Sequence, residues 1–216
     1  TEGSYGEYLQ NHIRDTIPTQ VVEVDLKNLL KAENVSLETV AGREALLSHE
    51  DSDIEFEVNV PVTGMYCLGV SYYQIAGSGS SIERSVTIND EYPFTEAHSI
   101  GLDRIYQDDV EDTSNKESYF SSDDSGNQVR KSQVESPRWV DNVAFRDSSS
   151  TYNGYLKFYL EKGRNVIRLS SIRGSVAFSR IYLFGQSNPV SYGEFYLDNA
   201  FLALGGSNLI ETVQAE

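Results

Sequence analysis

The residues with the clearest binding chemistry are Arg138, Trp139 and Asp141, followed by Tyr152 and Tyr155. A flat indole ring beside charged side chains can stack on the face of a pyranose, while polar neighbours bind the sugar hydroxyls. These five residues are therefore the predicted ligand-binding residues, and the predicted ligand is a glycan or oligosaccharide. The alternative is that Trp139 anchors a long loop to the core, because Trp is highly buried on average.

Catalytic chemistry has no comparable support in the sequence. The 33 acidic residues make some pair of carboxylates inevitable, so acidic pairs carry no signal for a hydrolase. Neither G-x-S-x-G nor H-E-x-x-H occurs, and His12, His49 and His98 are scattered. We predict that the protein is not an enzyme.

The net charge of −16 excludes nucleic acid as a partner, because no basic stripe exists to neutralise phosphates. It also disfavours anionic membrane surfaces, and without a long apolar run we expect no direct membrane insertion.

Cys67 is the only cysteine, so no disulfide can form within the chain, and we expect a buried, inert thiol. The sequence has neither a signal peptide nor an initial Met, so we expect a piece of a larger protein.

Alternating apolar residues define the elements that must position these side chains. Residues 54–60 and 66–72 alternate at period two around the turn Pro61–Gly64, which predicts a central hairpin. Residues 155–160 and 165–170 predict a second hairpin. The pattern is typical of an all-β protein, an antiparallel β-sandwich of jelly-roll type.

Two similar segments lie near the ends of the sequence. Ser4-Tyr-Gly-Glu7 is a capping box that predicts a short helix to about Arg14. Ser191-Tyr-Gly-Glu194 repeats it, which predicts a short C-terminal helix as well. We interpret residues 1–186 as one module, and residues 187–216 as a linker helix or the start of a following repeat.

Residues 107–136 are rich in Asp, Ser, Asn, Glu and Lys and have few apolar side chains, which predicts a long surface insertion. Arg84 or Arg104 is expected to pair with Glu96 or Glu135 and so tether this insertion. Such pairing is the alternative to a ligand contact by these side chains.

Several spaced motifs resemble one known kind of module. They are Ser81-Ile-Glu-Arg84, Ile88-Asn-Asp90, Pro93-Phe-Thr-Glu-Ala97, Gly126-Asn127, Trp139, Asp147 and Lys162-Gly163. This set resembles a module of extracellular solute-binding lipoproteins from Gram-positive carbohydrate ABC transporters. That module is similar to the galactose-binding-like jelly rolls of carbohydrate-binding module families six and thirty-five.

The resemblance implies a non-catalytic glycan-binding module of a multidomain extracellular protein, linked to carbohydrate uptake. It implies attachment to the cell surface through the parent protein, with neighbouring domains of that protein as partners. The alternative is a structural spacer or protein-interaction module without a ligand of its own.

The resemblance also implies a structural Ca2+ ion. In families six and thirty-five an acidic-x-acidic pair near the first strand and a later Asp hold such an ion, and Glu23-x-Asp25 matches the pair. Ser179 stands where the later Asp would be expected. A solvated strand face is the alternative interpretation of Glu23 and Asp25.

Overall fold

The computed structural model describes residues 2–77, 81–109, 120–122, 125–130 and 132–186. The elements, in chain order, are helix α1 (Tyr5–Asn11), strands β1 (Val22–Glu23), β2 (Lys31–Val40), β3 (Arg43–Val60), β4 (Gly64–Gln74) and β5 (Ile82–Ile88), a 3-10 helix (Thr95–His98), and strands β6 (Ile100–Leu102), β7 (Tyr106–Asp108), β8 (Phe120–Ser122), β9 (Gln128–Arg130), β10 (Gln133–Glu135), β11 (Trp139–Ala144), β12 (Arg146–Asp147), β13 (Lys157–Leu160), β14 (Gly163–Arg173) and β15 (Val176–Phe184).

Eleven of the described strands form one continuous antiparallel sheet that folds over into two layers. In the first layer β4 pairs with β15 on one edge, and with β11 and β13 in succession on the other. The second layer follows the order β2, β3, β14, β5, β6 and β12. The layers join where Val176–Phe178 of β15 also pairs with the start of β3. The predicted antiparallel β-sandwich is confirmed.

One hydrophobic core lies between the layers, and the predicted alternation supplies much of it. The buried side chains from β3 and β4 are Ile54, Phe56, Val58, Val60, Tyr66, Leu68, Val70 and Tyr72. Cys67 is also fully buried, and burial raises the pKa of its thiol to about 11. The predicted burial of this thiol is confirmed, and a thiol with this pKa is protonated at neutral pH.

The predicted central hairpin is wrong, because β3 and β4 do not pair with each other. β3 pairs with β2, β14 and β15, whereas β4 pairs with β11, β13 and β15. The turn after Val60 carries the chain from one layer to the other. An alternating pattern shows only that a strand buries one face. Two strands that pair side by side show it, and so do two strands that face each other from separate layers.

The second predicted hairpin is wrong for the same reason. β13 pairs with β4 in the first layer, and β14 pairs with β3 and β5 in the second. The short connection between Leu160 and Gly163 therefore also crosses between layers.

The described part of the insertion consists of two small antiparallel pairs, β7 with β10 and β8 with β9. Glu135 ties its base to the sandwich. Its Oε1 atom lies 3.1 Å from Nη1 of Arg104, and the two side chains are 15% and 2% exposed. Its Oε2 atom accepts a hydrogen bond from the Gly77 amide at 3.1 Å. The predicted tether is thus confirmed for Arg104 and Glu135.

Arg84 is fully buried and makes different contacts. Its guanidinium donates to the backbone oxygens of Glu83 and Arg173 at 2.8 and 3.0 Å, and to Oγ of Ser48 at 3.0 Å. Burial lowers the pKa of Arg84 to about 10. The side chain therefore links β3, β5 and β14 inside the second layer and does not tether the insertion.

The predicted N-terminal helix is confirmed as α1, with both hydrogen bonds of the capping box between Ser4 and Glu7. The repeat that begins at Ser191 lies outside the described residues. By its internal contacts, Thr1–Gln186 forms one compact unit. Among the described residues no helix is long and apolar enough to cross a membrane.

Candidate functional site

β11 positions two of the predicted binding residues on the outer face of the first layer. Trp139 pairs in register with Tyr73 of β4, so the two side chains project from the same face. Their ring centroids are 5.5 Å apart, with an angle of 54° between the planes. The neighbouring pair, Val140 and Tyr72, packs with the core, which fixes the outward direction of Trp139.

Arg43 lies over the Trp139 ring, with its Cζ atom 4.8 Å from the ring centroid. It enters from the start of β3, just after the tight turn at Ala41 and Gly42, where φ is 43° and 81°. In the same turn, the backbone oxygen of Ala41 accepts a hydrogen bond from Nε1 of Trp139 at 3.2 Å. The indole therefore connects β11 to the turn between β2 and β3.

Asp141 completes this group through a two-point ion pair with Arg43. The Nη1–Oδ1 and Nη2–Oδ2 distances are 2.7 and 3.2 Å. The side chains of Arg43 and Asp141 remain 44% and 42% exposed. Hydrogen bonds from Arg43, and next from Ser71, hold the pKa of Asp141 below its usual value. We call Arg43, Tyr73, Trp139 and Asp141 the Trp139 cluster.

The Trp139 cluster offers half-buried aromatic surface next to an exposed guanidinium and an ionised carboxylate. Such a group can bind a polar ring-shaped ligand by contact with its apolar face and by hydrogen bonds to its hydroxyls. Sequence reasoning found Trp139 and Asp141 but missed Arg43 and Tyr73. Tyr73 had a usable signal, because it is an aromatic residue on the face of β4 opposite to the predicted core positions.

The other three predicted site residues lie outside the Trp139 cluster. Arg138 is exposed just before β11. Tyr152 packs edge-on against Tyr5 of α1, with centroids 5.1 Å apart, and its hydroxyl accepts a hydrogen bond from the Gly6 amide at 3.1 Å. Tyr152 is positioned by the loop after β12, where the carboxylate of Asp147 accepts from its amide at 3.2 Å.

Tyr155 belongs to a second aromatic group, which we call the Tyr155 cluster. Arg146 lies over its ring at 5.2 Å, and Phe184 packs edge-on at 6.3 Å. Tyr182 continues the group, with its ring centroid 5.5 Å from that of Phe184 and 3.9 Å from Cζ of Arg180. The structure therefore separates Trp139 and Tyr155 into two clusters of arginine and aromatic side chains.

Gly69 allows this second group to lie against the sheet. A Cβ atom at Gly69 would stand 2.5 Å from Cζ of Tyr182. The tyrosine ring therefore crosses directly over the β4 backbone, and Tyr182 is only 6% exposed.

Glu23 and Asp25 do not come together as a pair of free carboxylates. Glu23 binds Arg180, whose Nε atom lies 3.0 and 3.1 Å from its two carboxylate oxygens. Oδ1 of Asp25 accepts a hydrogen bond from the Lys27 amide at 3.0 Å. In the described residues no group of three His, Cys, Asp or Glu side chains is close enough to hold a metal. With Arg180 in place Glu23 does not fit a ligand role, and calcium at these residues stays a prediction.

A cleft of about 180 Å³ lies beside β11, between that strand and residues 101–105. Its lining includes Tyr72, Leu102, Val140 and Val143, and the Tyr72 hydroxyl is already bound to the backbone oxygen of Asp103 at 2.5 Å. The rest of the lining is apolar except for Asp103 and Arg146. The Trp139 cluster differs from this cleft in presenting two aromatic rings beside an exposed ion pair.

No family model matches the sequence, and no curated protein is significantly similar to it. Solved structures similar to the chain include a family 35 carbohydrate-binding module from Clostridium thermocellum. The identity is 18%, the TM-score is 0.41, and the match covers 78% of this chain and 100% of that one. Another is the C-terminal family 6 module of a marine laminarinase from Zobellia galactanivorans, with 15% identity, a TM-score of 0.37, and coverage of 76% and 99%.

Proposed function

We propose that this chain is a non-catalytic glycan-binding module. The observation that carries the proposal is the Trp139 cluster, in which two aromatic rings lie beside an exposed arginine and an exposed aspartate on the outer face of the sheet. The motif resemblance points in the same direction.

The state of Asp141 supports binding without catalysis. A glycosidase acid must hold a proton near neutral pH, which requires a raised pKa. Arg43 instead holds the pKa of Asp141 below its usual value, so this carboxylate is ionised and serves as a hydrogen-bond acceptor. The cluster can bind hydroxyls but has no proton donor suited to cleaving a glycosidic bond.

The wider setting rests on the resemblance. We propose that the module belongs to a multidomain extracellular protein, is attached to the cell surface through that protein, and serves carbohydrate uptake.

Contact with one ring and a few hydroxyl hydrogen bonds gives roughly 4–6 kcal/mol, so we expect a dissociation constant of about 0.1–1 mM. Stronger attachment would require several modules acting together.

Fluorescence provides a direct test, because Trp139 is the only tryptophan in the chain. The protein should be titrated with a panel of soluble oligosaccharides, and binding should change the Trp139 emission at millimolar concentrations. Tyr73→Ala should weaken the affinity measured in this titration by about tenfold or more, whereas the matched variant Tyr155→Ala should leave the affinity unchanged. If an immobilised polysaccharide retains the protein but does not change the Trp139 emission, the sugar binds elsewhere on the module.

A spacer function is the second candidate, and one observation favours it. The Nε1–Ala41 hydrogen bond and the Arg43 contact hold Trp139 between β11 and the turn before β3. If anchoring is its whole role, a Trp139→Phe variant should lose stability, and no oligosaccharide in the panel should change the emission of the parent protein.

A further inference from the structure

One arrangement of side chains occurs twice on the outer face of the first layer. In the Trp139 cluster an arginine lies over an aromatic ring and pairs with an aspartate. At the end of the Tyr155 cluster, Arg180 lies over the ring of Tyr182, with its Cζ atom 3.9 Å from the ring centroid, and pairs with Glu23. We call Glu23, Arg180 and Tyr182 the Arg180 triad.

The strand register places the Arg180 triad on the same face as the Trp139 cluster. Arg180 pairs with Ser71 of β4, and Tyr73, the partner of Trp139, lies two residues further along that strand. Residues two apart on a strand share a face, so the arginine and the two rings project to the same side. Glu23 joins this face because it pairs in register with Tyr182.

The two groups are close enough for one linear ligand. Trp139 on β11 and Arg180 on β15 are separated by the single strand β4. With about 4.8 Å between strands and about 3.4 Å per residue, their Cα atoms are about 12 Å apart. A pyranose unit, built from bonds of about 1.5 Å, advances a linear glycan by roughly 5 Å. About three units therefore span the distance.

The Arg180 triad keeps hydrogen-bonding capacity toward a ligand. The side chains of Arg180 and Glu23 are 38% and 56% exposed. Glu23 binds Nε and Nη2 of the guanidinium, and Nη1 has no partner among the described residues. Contact with the ring of Tyr182 and the ion pair hold the guanidinium in place before a ligand arrives, which lowers the entropy cost of binding.

We propose that the Arg180 triad is a second subsite of the glycan site, so that the ligand is a linear oligosaccharide of about three units or more. This inference rests on the proposed function. One sugar unit contacts the rings of Trp139 and Tyr73, and a unit further along the same chain places its hydroxyls against Arg180 and Glu23. The guanidinium donates to those hydroxyls, and the carboxylate accepts from them.

A length series of oligosaccharides tests the proposal. The chain is titrated with oligomers of one to five units of β-1,4-linked glucose, β-1,4-linked mannose and β-1,3-linked glucose, and the Trp139 emission reports binding. The affinity should rise about tenfold between one and three units and then level off, because the third unit adds hydrogen bonds to charged groups. Equal affinity at every length would overturn the second subsite and leave the glycan site at Trp139 standing. No emission change with any oligomer would overturn both.

Substitutions in the triad identify the residues that bind the third unit. Arg180→Gln and, separately, Glu23→Gln should lower the affinity for the three-unit oligomer about tenfold and leave the single-sugar affinity unchanged. The unchanged single-sugar affinity also shows that the variant is folded. The matched control is Arg164→Gln, which breaks an exposed ion pair with Glu57 on the second layer and should change neither affinity.

Two results with these variants would overturn the second subsite. One is a three-unit affinity that survives both Arg180→Gln and Glu23→Gln. The other is an equal loss of affinity at every length, because the triad would then act only by supporting the sheet beneath Trp139.

Discussion

Removing the Trp139 side chain tests whether the ring is both anchored and accessible, because the cost in free energy of unfolding should be intermediate. Trp139→Ala removes the hydrogen bond to Ala41, worth about 1 kcal/mol, and the ring contact with Tyr73, worth about 0.5–1.5 kcal/mol. The contact with Arg43 at an exposed position adds about 0.5–1 kcal/mol. The expected loss in the free energy of unfolding is therefore about 2–3.5 kcal/mol, which overlaps only the lower end of the 3–5 kcal/mol typical of a fully buried tryptophan.

Urea unfolding followed by circular dichroism measures this loss, and in thermal melts it should appear as about 4–14 °C. Trp139→Phe keeps a ring beside Tyr73 but loses the Nε1 hydrogen bond, so it should cost about 1 kcal/mol. A double-mutant cycle with Arg43→Gln should return a coupling of about 0.5–1 kcal/mol. A loss below about 0.5 kcal/mol for Trp139→Ala would refute the anchoring contacts, and a loss above about 4 kcal/mol would refute an accessible platform.

Three further changes test other parts of the structure. Hydrogen bonds from Arg168 hold the pKa of Asp53 below its usual value, so its stabilisation is present above about pH 4 and is lost as pH falls. Asp53→Asn should cost about 2 kcal/mol at pH 7, and urea unfolding should show that gap shrinking by about 1 kcal/mol at pH 3. Gly69→Ala should cost about 1–3 kcal/mol in the same assay, because the new methyl group meets the Tyr182 ring; an unchanged midpoint would contradict the close packing. If Glu23 and Asp25 hold calcium, a chelator should lower the melting temperature, and an unchanged melt would leave Glu23 as the partner of Arg180 alone.

The sequence predicted which faces of the strands are buried but not which strands are neighbours. Ile54 to Val60 and Tyr66 to Tyr72 were assigned to the core correctly, because apolar side chains at period two share one face of a strand, although β4 is buried on its other face as well. Their pairing depended on contacts more than a hundred residues away, such as Ile54 with Leu169 of β14. A short turn fits both a hairpin and a crossing between layers, so the local sequence does not distinguish them.

The candidate site shows the same limit. Trp139 and Asp141 were found because both belong to one short stretch with distinctive residue types. Arg43 stands 98 residues before Asp141, and nothing in its own surroundings connects it with β11. Tyr155 was grouped with Trp139 because it is near in sequence, but strand pairing places it opposite Arg146, beside Phe184. Predicting these partners from sequence would have required the order of the strands.

Anchoring and sugar binding at Trp139 are compatible because of the way the ring is held. Binding a ligand on a mobile side chain costs about 0.5–1.5 kcal/mol to order that side chain, a sizeable part of a weak interaction. The Ala41 hydrogen bond and the Tyr73 contact already fix the indole, and the ion pair with Asp141 fixes Arg43 over it. Both charged groups are still more than 40% exposed, so they keep hydrogen-bonding capacity toward solvent. The stability lost in Trp139→Ala thus also measures how firmly the proposed sugar platform is held before the ligand arrives.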